Sequence, residues 1–195
     1  GGNFEEPVTQ STLRTVKCFL ALSSARAYKR FYPAIEPLVS WSRYVEQLRE
    51  WFDENVQVGW TDRVLELMEL IQTGDKIQQM MQVTGEEGIS LDDFITYQKA
   101  FFLDMVYLQQ DAFDKVDCAC PLDRQLESLN LVAKVLDAEI TLEEKDEIKR
   151  FFNKMTAQFK NLNYAPFHSK EYKKYEKELL KTLDKHSKGS VKAAA

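Results

Sequence analysis

Glycine is scarce in this sequence, with 7 residues among 195, and the glycines are scattered. No G-x-x-x-x-G-K-[ST] run occurs, so the chain lacks the loop of backbone amides and lysine that ordinarily cradles nucleotide phosphates. Only two histidines are present, His168 and His186. Neither has a partner at ligand spacing, which argues against a metal site of three or four convergent ligands. Three cysteines, Cys18, Cys118 and Cys120, make an odd number without framework spacing, as expected for a reducing cytoplasm. No apolar run approaches the roughly 18 residues a membrane-spanning helix needs. The opening "GGNFEEPVTQ" has neither the basic and apolar regions of a signal peptide nor an initiator methionine, and reads as a tag remnant or a piece of a longer protein. Positive charge is not in excess either: net charge is −5, which speaks against nucleic acid as the main partner.

What the chain does have is apolar and aromatic residues, 44% and 12% of the total, enough for a sizeable core. They recur at helical spacing almost throughout, and strand signals are few. A first helix is expected from Thr9 or Ser11 to just before Pro33, since the residue preceding proline is pushed out of helical geometry. It would carry Leu13, Val16, Leu20, Ala27 and Phe31 on one side, and Cys18 within it reads as core. A second helix follows Ser40 or Ser42 and ends at "VQVG". A third starts near Thr61, is weakened or kinked by Gly74 at about 1 kcal/mol relative to alanine, and ends at "TGEEG". Ser90 with Asp93 forms a capping-box pattern before a helix rich in Phe94, Phe101 and Phe102. Beyond the interruption "QQDAFDKVDCACP", Pro121 suits the first position of another helix. Thr141 with Glu144 reads as a second capping box, and Ser169 as the cap of a last helix. The tail from residue 185 is small and polar and should fray. The fold class is therefore all-α, a helical bundle, with residues 1–40 as a separate N-terminal segment, 41–184 as the helical domain and 185–195 as a flexible tail.

Little in this pattern carries chemistry. The C-x-C at Cys118 and Cys120 has no second pair and reads as packing near a helix start. Glu86, Glu87, Asp92 and Asp93 cluster around a helix-helix turn. They have no acid or base partner, and are either a solvated loop or an electrostatic contact for a basic partner. The lysines and glutamates of the last helix read as a solvated face. From the residues alone this is a helical domain with no catalytic machinery and no metal of its own.

One stretch does not fit a bland helix stop. "KRFYPAIEPLVSW", Lys29 to Trp41, places an aromatic pair and two prolines within a few positions. Together with "GGNFEEPVTQSTLRTVKCFLAL" before it, the segment resembles the catalytic A subunit of V-type (archaeal-type) ATP synthases, where "GGDFSEPVTQ-TLR-VK-FW-LD" leads to "RHFPAIxWLxSYSxY". Further on, "YLQQDAFDKVDCACPLDRQ" is similar to the family's "YLQQNAFDxVDTYCPxxKQ". The motifs cover the chain to about Gln125 and the remainder matches as generic helix.

The resemblance implies a C-terminal portion of that catalytic chain: the last edge of the nucleotide-binding domain in residues 1–40, then the helical domain. The phosphate loop and the groups for ATP and Mg2+ would lie upstream, so no cofactor is expected on this piece alone and no hydrolysis by it. In rotary ATPases the aromatic before "PA[IV]" lies against the adenine ring, and a phenylalanine in the "QQxAF" loop covers the pocket. Carried over, these are Tyr32 and Phe113, with Phe31 and Tyr107 as secondary pocket candidates. Aromatic stacking on a base is worth about 1–3 kcal/mol, and Pro33 fixes the backbone beside the ring. Tyr32 departs from the phenylalanine usual in V-type chains and is closer to the "YPAVDPL" of the F-type beta chain; Cys118, Ala119 and Cys120 replace the family's Thr-Tyr-Cys. The family's helix-turn-helix faces the rotor, which puts Glu86, Glu87, Asp92 and Asp93 there by position. The expected setting is a cytoplasmic ATPase head peripheral to the membrane, an alternating A3B3 hexamer around a central stalk, coupling ATP synthesis or hydrolysis to proton or sodium transport. Two other readings stay open at this point: a stand-alone helical interaction module, and the non-catalytic B chain of the same complex.

Overall fold

A computed structural model of the chain describes residues 6–188. The chain divides into two compact units. The first holds the residues up to Arg30 together with Ala34–Glu69, and the second holds Phe31–Pro33 and the residues from Leu70 onward. Phe31, Tyr32 and Pro33 thus group with the helical unit.

In the first unit, α1 spans Pro7–Thr15, with Pro7 at its first position, where no amide donor is needed. The helix ends at Val16, which is extended (φ −74°, ψ 152°). The single long helix expected up to Pro33 does not form. Cys18–Phe19 (β1) pairs antiparallel with Trp41–Ser42 (β2), Cys18 opposite Ser42 and Phe19 opposite Trp41. Backbone bonds from Arg43 N–H to the Lys17 carbonyl (2.8 Å) and from Glu36 N–H to the Ala21 carbonyl (2.8 Å) extend the pairing. Ser40 adds a side-chain clasp, accepting from Ala21 N–H at 3.0 Å and donating to the Glu36 carbonyl at 2.7 Å. The helical spacing of Leu13 to Phe31 is real, but this long-range pairing satisfies the same backbone groups another way. Cys18 is consequently exposed in a strand, not buried in a helix. A short helix, α2 (Ser24–Tyr28), follows under a Ser23 cap. The expected second helix is split into α3 (Tyr44–Gln47) and α4 (Arg49–Asn55). None of α1 to α4 buries a residue, and Val8, Leu22, Tyr28 and Val58 are each more than three-quarters exposed.

The helix α5, Trp60–Thr84, begins in the first unit and ends in the second. The second unit continues with α6 (Leu91–Leu103), a π-helical turn (Asp104–Leu108), α7 (Leu122–Asp137), α8 (Lys145–Tyr164) and α9 (Lys170–His186). α8 packs on both α9 and α6. Their apolar faces meet in a core with Phe94, Phe102, Val132, Ile148, Met155, Phe159 and Leu179 almost fully buried. Rings are its largest pieces: Phe102 meets Phe159 edge-on at 5.9 Å and lies 6.2 Å from Phe152. Each such ring contributes about 1.5–3 kcal/mol through removal from water alone.

Three cations tie the ends of these elements together. The Lys99 ammonium on α6 donates to the Leu136 and Ala138 carbonyls at the end of α7 (2.5 and 3.0 Å). The Arg124 guanidinium on α7, 3% exposed, donates to the Leu162 and Asn163 carbonyls at the end of α8. The Lys145 ammonium on α8 donates to the Glu86 and Ile89 carbonyls in the turn before α6, both at 2.5 Å. The last carbonyls of a helix have no partner within it and carry partial negative charge, so a cation is the matched cap. Burial holds the Lys99 ammonium below its ordinary pKa, with the nearby Asp137 charge opposing that shift.

Two sequence expectations about helix ends are corrected. α8 starts at Lys145 after Glu144, and Thr141 does not cap it. Thr141 bonds instead to the His186 carbonyl through both its amide and its hydroxyl. That contact starts a small antiparallel pairing of Glu139–Ile140 (β3) with Ser187–Lys188 (β4), so the chain is ordered into regular structure beyond residue 185. The remainder of the expected tail, residues 189–195, lies outside the described residues, as does the "GGNFE" start.

Gly74 does not interrupt α5. A Cβ there would fall well inside contact distance of the Ala100 Cβ on α6, so the glycine marks a close helix approach. The two effects on stability have opposite signs. Gly74→Ala gains about 1 kcal/mol of helix propensity, whereas overpacking a tight contact costs about 1–3 kcal/mol. We expect Gly74→Ala to lower the urea midpoint and Ala100→Gly in the same chain to restore most of the loss; a raised midpoint for the single variant would show that the contact yields.

Candidate functional site

The residues singled out in "FYP" and "QQDAF" fall in the same unit and are joined there. Arg30 takes a left-handed conformation (φ 60°) and the Tyr32–Pro33 bond is cis. Past α6, the π-helical turn ends at Leu108 and the chain straightens at Gln109 (φ −105°, ψ 133°). Gln110 N–H then donates to the Tyr32 carbonyl at 2.6 Å, an isolated antiparallel bridge. Tyr32 is thus tied through its backbone to the loop that carries Phe113.

That loop is held by its own aspartates. Asp111 Oδ1 accepts from Phe113 N–H at 2.9 Å. Asp114 Oδ1 accepts from both Val116 and Asp117 N–H at 2.8 Å. Asp117 Oδ2 accepts from Asp111 N–H at 2.6 Å, and Gln110 Nε2 donates to the Asp117 carbonyl at 2.8 Å. Short aspartate side chains that bond backbone amides two or three residues on build turns without help from regular structure. Asp117 is 8% exposed, and burial pushes its carboxyl pKa up, opposed by the Asp111 amide and the Arg124 charge. On this frame Phe113 stands 96% exposed, its ring free of the core, and Tyr32 is 46% exposed. Two exposed rings of this kind can take a flat ligand against their faces.

The secondary candidates differ. Tyr107 is half-buried, its hydroxyl 3.5 Å from the Gln125 carbonyl, and burial pushes its pKa up to about 12. It lines a cavity of about 260 Å³ whose other walls include Pro33, Gln109, Gln110, Asp117, Arg124 and Asn163. Phe31 is half-buried beside Tyr32 and does not line that cavity. Sequence reasoning passed over the aspartates and Gln110, although the D-x-x-D-x-x-D spacing of 111, 114 and 117 is a usable signal for a self-bonded loop.

At the other end of α6, the four acids sit in two different situations. Gly85 (φ 77°) turns the chain into a 3-10 turn, Glu86–Gly88. Glu86 pairs with Lys149 at 3.5 Å, while its carbonyl and that of Ile89 receive the Lys145 ammonium. Ser90 caps α6, accepting from Asp93 N–H at 3.1 Å and donating to the Asp93 carboxylate at 2.8 Å. Glu86 is therefore engaged by α8, and Asp93 by Ser90 at the start of α6. Glu87 and Asp92 are exposed, next to an 87% exposed Val83.

Among the described residues no group of three His, Cys, Asp or Glu converges as metal ligands, and no helix is long and apolar enough to cross a membrane. Cys18, Cys118 and Cys120 are free thiols, and burial pushes the Cys120 thiol pKa up.

Comparison with known proteins fits this arrangement. The chain is 43% identical over 185 residues to the V-type ATP synthase alpha chain of Chlamydia pneumoniae, covering 95% of this chain and 31% of that relative. It is 42% identical over 188 residues to the V-type ATP synthase alpha chain of Protochlamydia amoebophila, covering 96% and 32%. The chain thus spans about a third of the length of these relatives. Its fold is similar to the solved ATP synthase subunit NeqB from Nanoarcheaum equitans, with a TM-score of 0.56 at 17% identity over 70% of this chain and 32% of that one. The family model described as the C-terminal domain of V and A type ATP synthase matches residues 49–152, more than half of the sequence. An all-α unit, a self-bonded aromatic loop and this match lead to one conclusion: the chain belongs to the family of C-terminal domains of V- and A-type ATP synthases.

Proposed function

We propose that this chain is the C-terminal portion of the catalytic A subunit of a V/A-type rotary ATP synthase, where it supplies one wall of the adenine pocket and a rotor-facing helical tip. The observation that carries the reading is the 2.6 Å bond from Gln110 N–H to the Tyr32 carbonyl, which unites the two aromatic motifs in one unit. Tyr32 stacks on the base, and Phe113 covers it from the loop fixed by Asp111, Asp114 and Asp117. The phosphate-binding groups and the Mg2+ site belong to the upstream part of the longer protein. The relatives described above are alpha chains, which favours the catalytic chain over its non-catalytic B counterpart. The working setting is a cytoplasmic head peripheral to the membrane, an A3B3 ring around a central stalk. The exposed apolar side chains of α1 to α4, Val8 and Tyr28 among them, suit a surface that packs on the rest of a nucleotide-binding domain.

The pocket is tested in the full-length protein, assembled with its partners. Tyr32→Ala and Phe113→Ala should each weaken nucleotide binding by about 10–100-fold, the equivalent of one stacked ring, while Tyr32→Phe keeps the face and should bind within about twofold of the parent. Equal affinity in all three variants, measured by nucleotide titration, would remove these residues from the pocket.

The isolated chain should show no ATP hydrolysis and only millimolar or weaker affinity, because one stack barely offsets the entropy of association. Calorimetry with ATP and with Mg2+-ATP checks this, and micromolar binding would contradict it.

At the tip, Glu87→Ala with Asp92→Ala should lower the ions pumped per ATP in the intact complex at unchanged melting temperature. Glu86→Ala with Asp93→Ala should lower the melting temperature, since those side chains hold the turn. Full coupling in the Glu87/Asp92 pair would take the tip out of rotor contact.

A further inference from the structure

We infer that Gln110 and Asp117 are positioning residues for the Phe113 ring, closing the neck of its loop and fixing that neck to Tyr32. This inference rests on the adenine-pocket reading above and concerns what keeps the two rings of that pocket in place. Phe113 cannot hold its own position. It is almost fully exposed, and among the described residues its ring has no aromatic or cationic partner. A side chain without packing takes its place from the backbone beneath it, so the ring stands wherever residues 110–117 put it.

Two bonds cross the loop where its ends meet, and both finish on Asp117. Gln110 Nε2 donates to the Asp117 carbonyl at 2.8 Å, and Asp111 N–H donates to Asp117 Oδ2 at 2.6 Å. Asp117 N–H donates in turn to Asp114 Oδ1 at 2.8 Å, so its carboxylate, carbonyl and amide are all engaged inside the loop. Asp117 is 8% exposed, and a hydrogen bond shielded from water is electrostatically stronger than an exposed one. Gln110 has a second engagement, its backbone N–H donating to the Tyr32 carbonyl at 2.6 Å. One residue thus joins the Tyr32 segment, the start of the Phe113 loop and its end. Asp111 and Asp114 shape local turns through their carboxylates, whereas the side chains of Gln110 and Asp117 span the loop from end to end. Ends drawn together in this way make a compact surface loop. A loop already ordered loses less freedom when its ring meets a ligand, so the neck adds affinity without touching the nucleotide.

The test is a pair of double-variant cycles in the full-length protein assembled with its partners, read by titration with ATP. Gln110→Leu and Asp117→Ala should each weaken binding by about three- to tenfold, the cost of ordering a loosened loop on binding. Asp117→Asn keeps an acceptor for the Asp111 amide and should bind within about twofold of the parent. On a Phe113→Ala background the same changes should add no further loss, because residues that act through one ring are not additive with its removal. Equal losses on both backgrounds would overturn the proposal, and so would full affinity in Gln110→Leu or an asparagine variant as weak as the alanine one. Should Asp117→Ala fail to assemble, the Gln110→Leu cycle decides alone. Failure of the pocket itself gives a different result. If Phe113→Ala leaves affinity unchanged, the ring is outside the pocket and both readings fall. If Phe113→Ala weakens binding while Gln110→Leu does not, the ring stands and the neck does not position it.

Discussion

A cation resting on the carbonyls of a neighbouring chain end is the interaction on which the helical unit depends. Apolar burial around Phe102, Phe152 and Phe159 supplies most of the driving force, but it has no direction. Lys99, Arg124 and Lys145 add direction, each reaching from one element to a fixed point on another. Removing any of these cations takes one donor from each carbonyl it serves. The positions of both ends of the unit follow from the same device. Lys145 fixes the acidic turn from α8, and Arg124 fixes the end of α8 beside the cavity behind the Phe113 loop.

The helical unit was largely legible in the sequence because its signals are local. Ser90 and Ser169 cap the helices they announce, and the apolar spacing of α8 and α9 corresponds to residues that are buried. The misreadings occurred where a distant segment overrides a local preference. Val16 to Phe31 has helical spacing, yet Cys18–Phe19 finds a strand partner at Trp41–Ser42, which no window of neighbours reveals. Thr141 has the right spacing for a cap and is drawn instead to the His186 carbonyl. Gly74 looked like a defect because the residue it accommodates, Ala100, is on another helix.

The candidate site divides in the same manner. Tyr32 and Phe113 came from motif resemblance, and the backbone bond that joins them was beyond the reach of spacing. The aspartates of the loop could have been found, since Asp111, Asp114 and Asp117 each bond amides within a few positions.

Phe31, Tyr32 and Pro33 are flanked on both sides by residues of the first unit, yet they group with the helical one. The consequence is one of inheritance. A change in this tripeptide is answerable to the loop at Gln110 through a backbone bond, more than to the neighbours on either side of it in the chain. Anyone exchanging segments between homologous chains would have to move residues 31–33 and 109–117 as one piece, although a long stretch of sequence separates them. A crossover placed between the two would join the Tyr32 backbone to a loop selected for a different tripeptide.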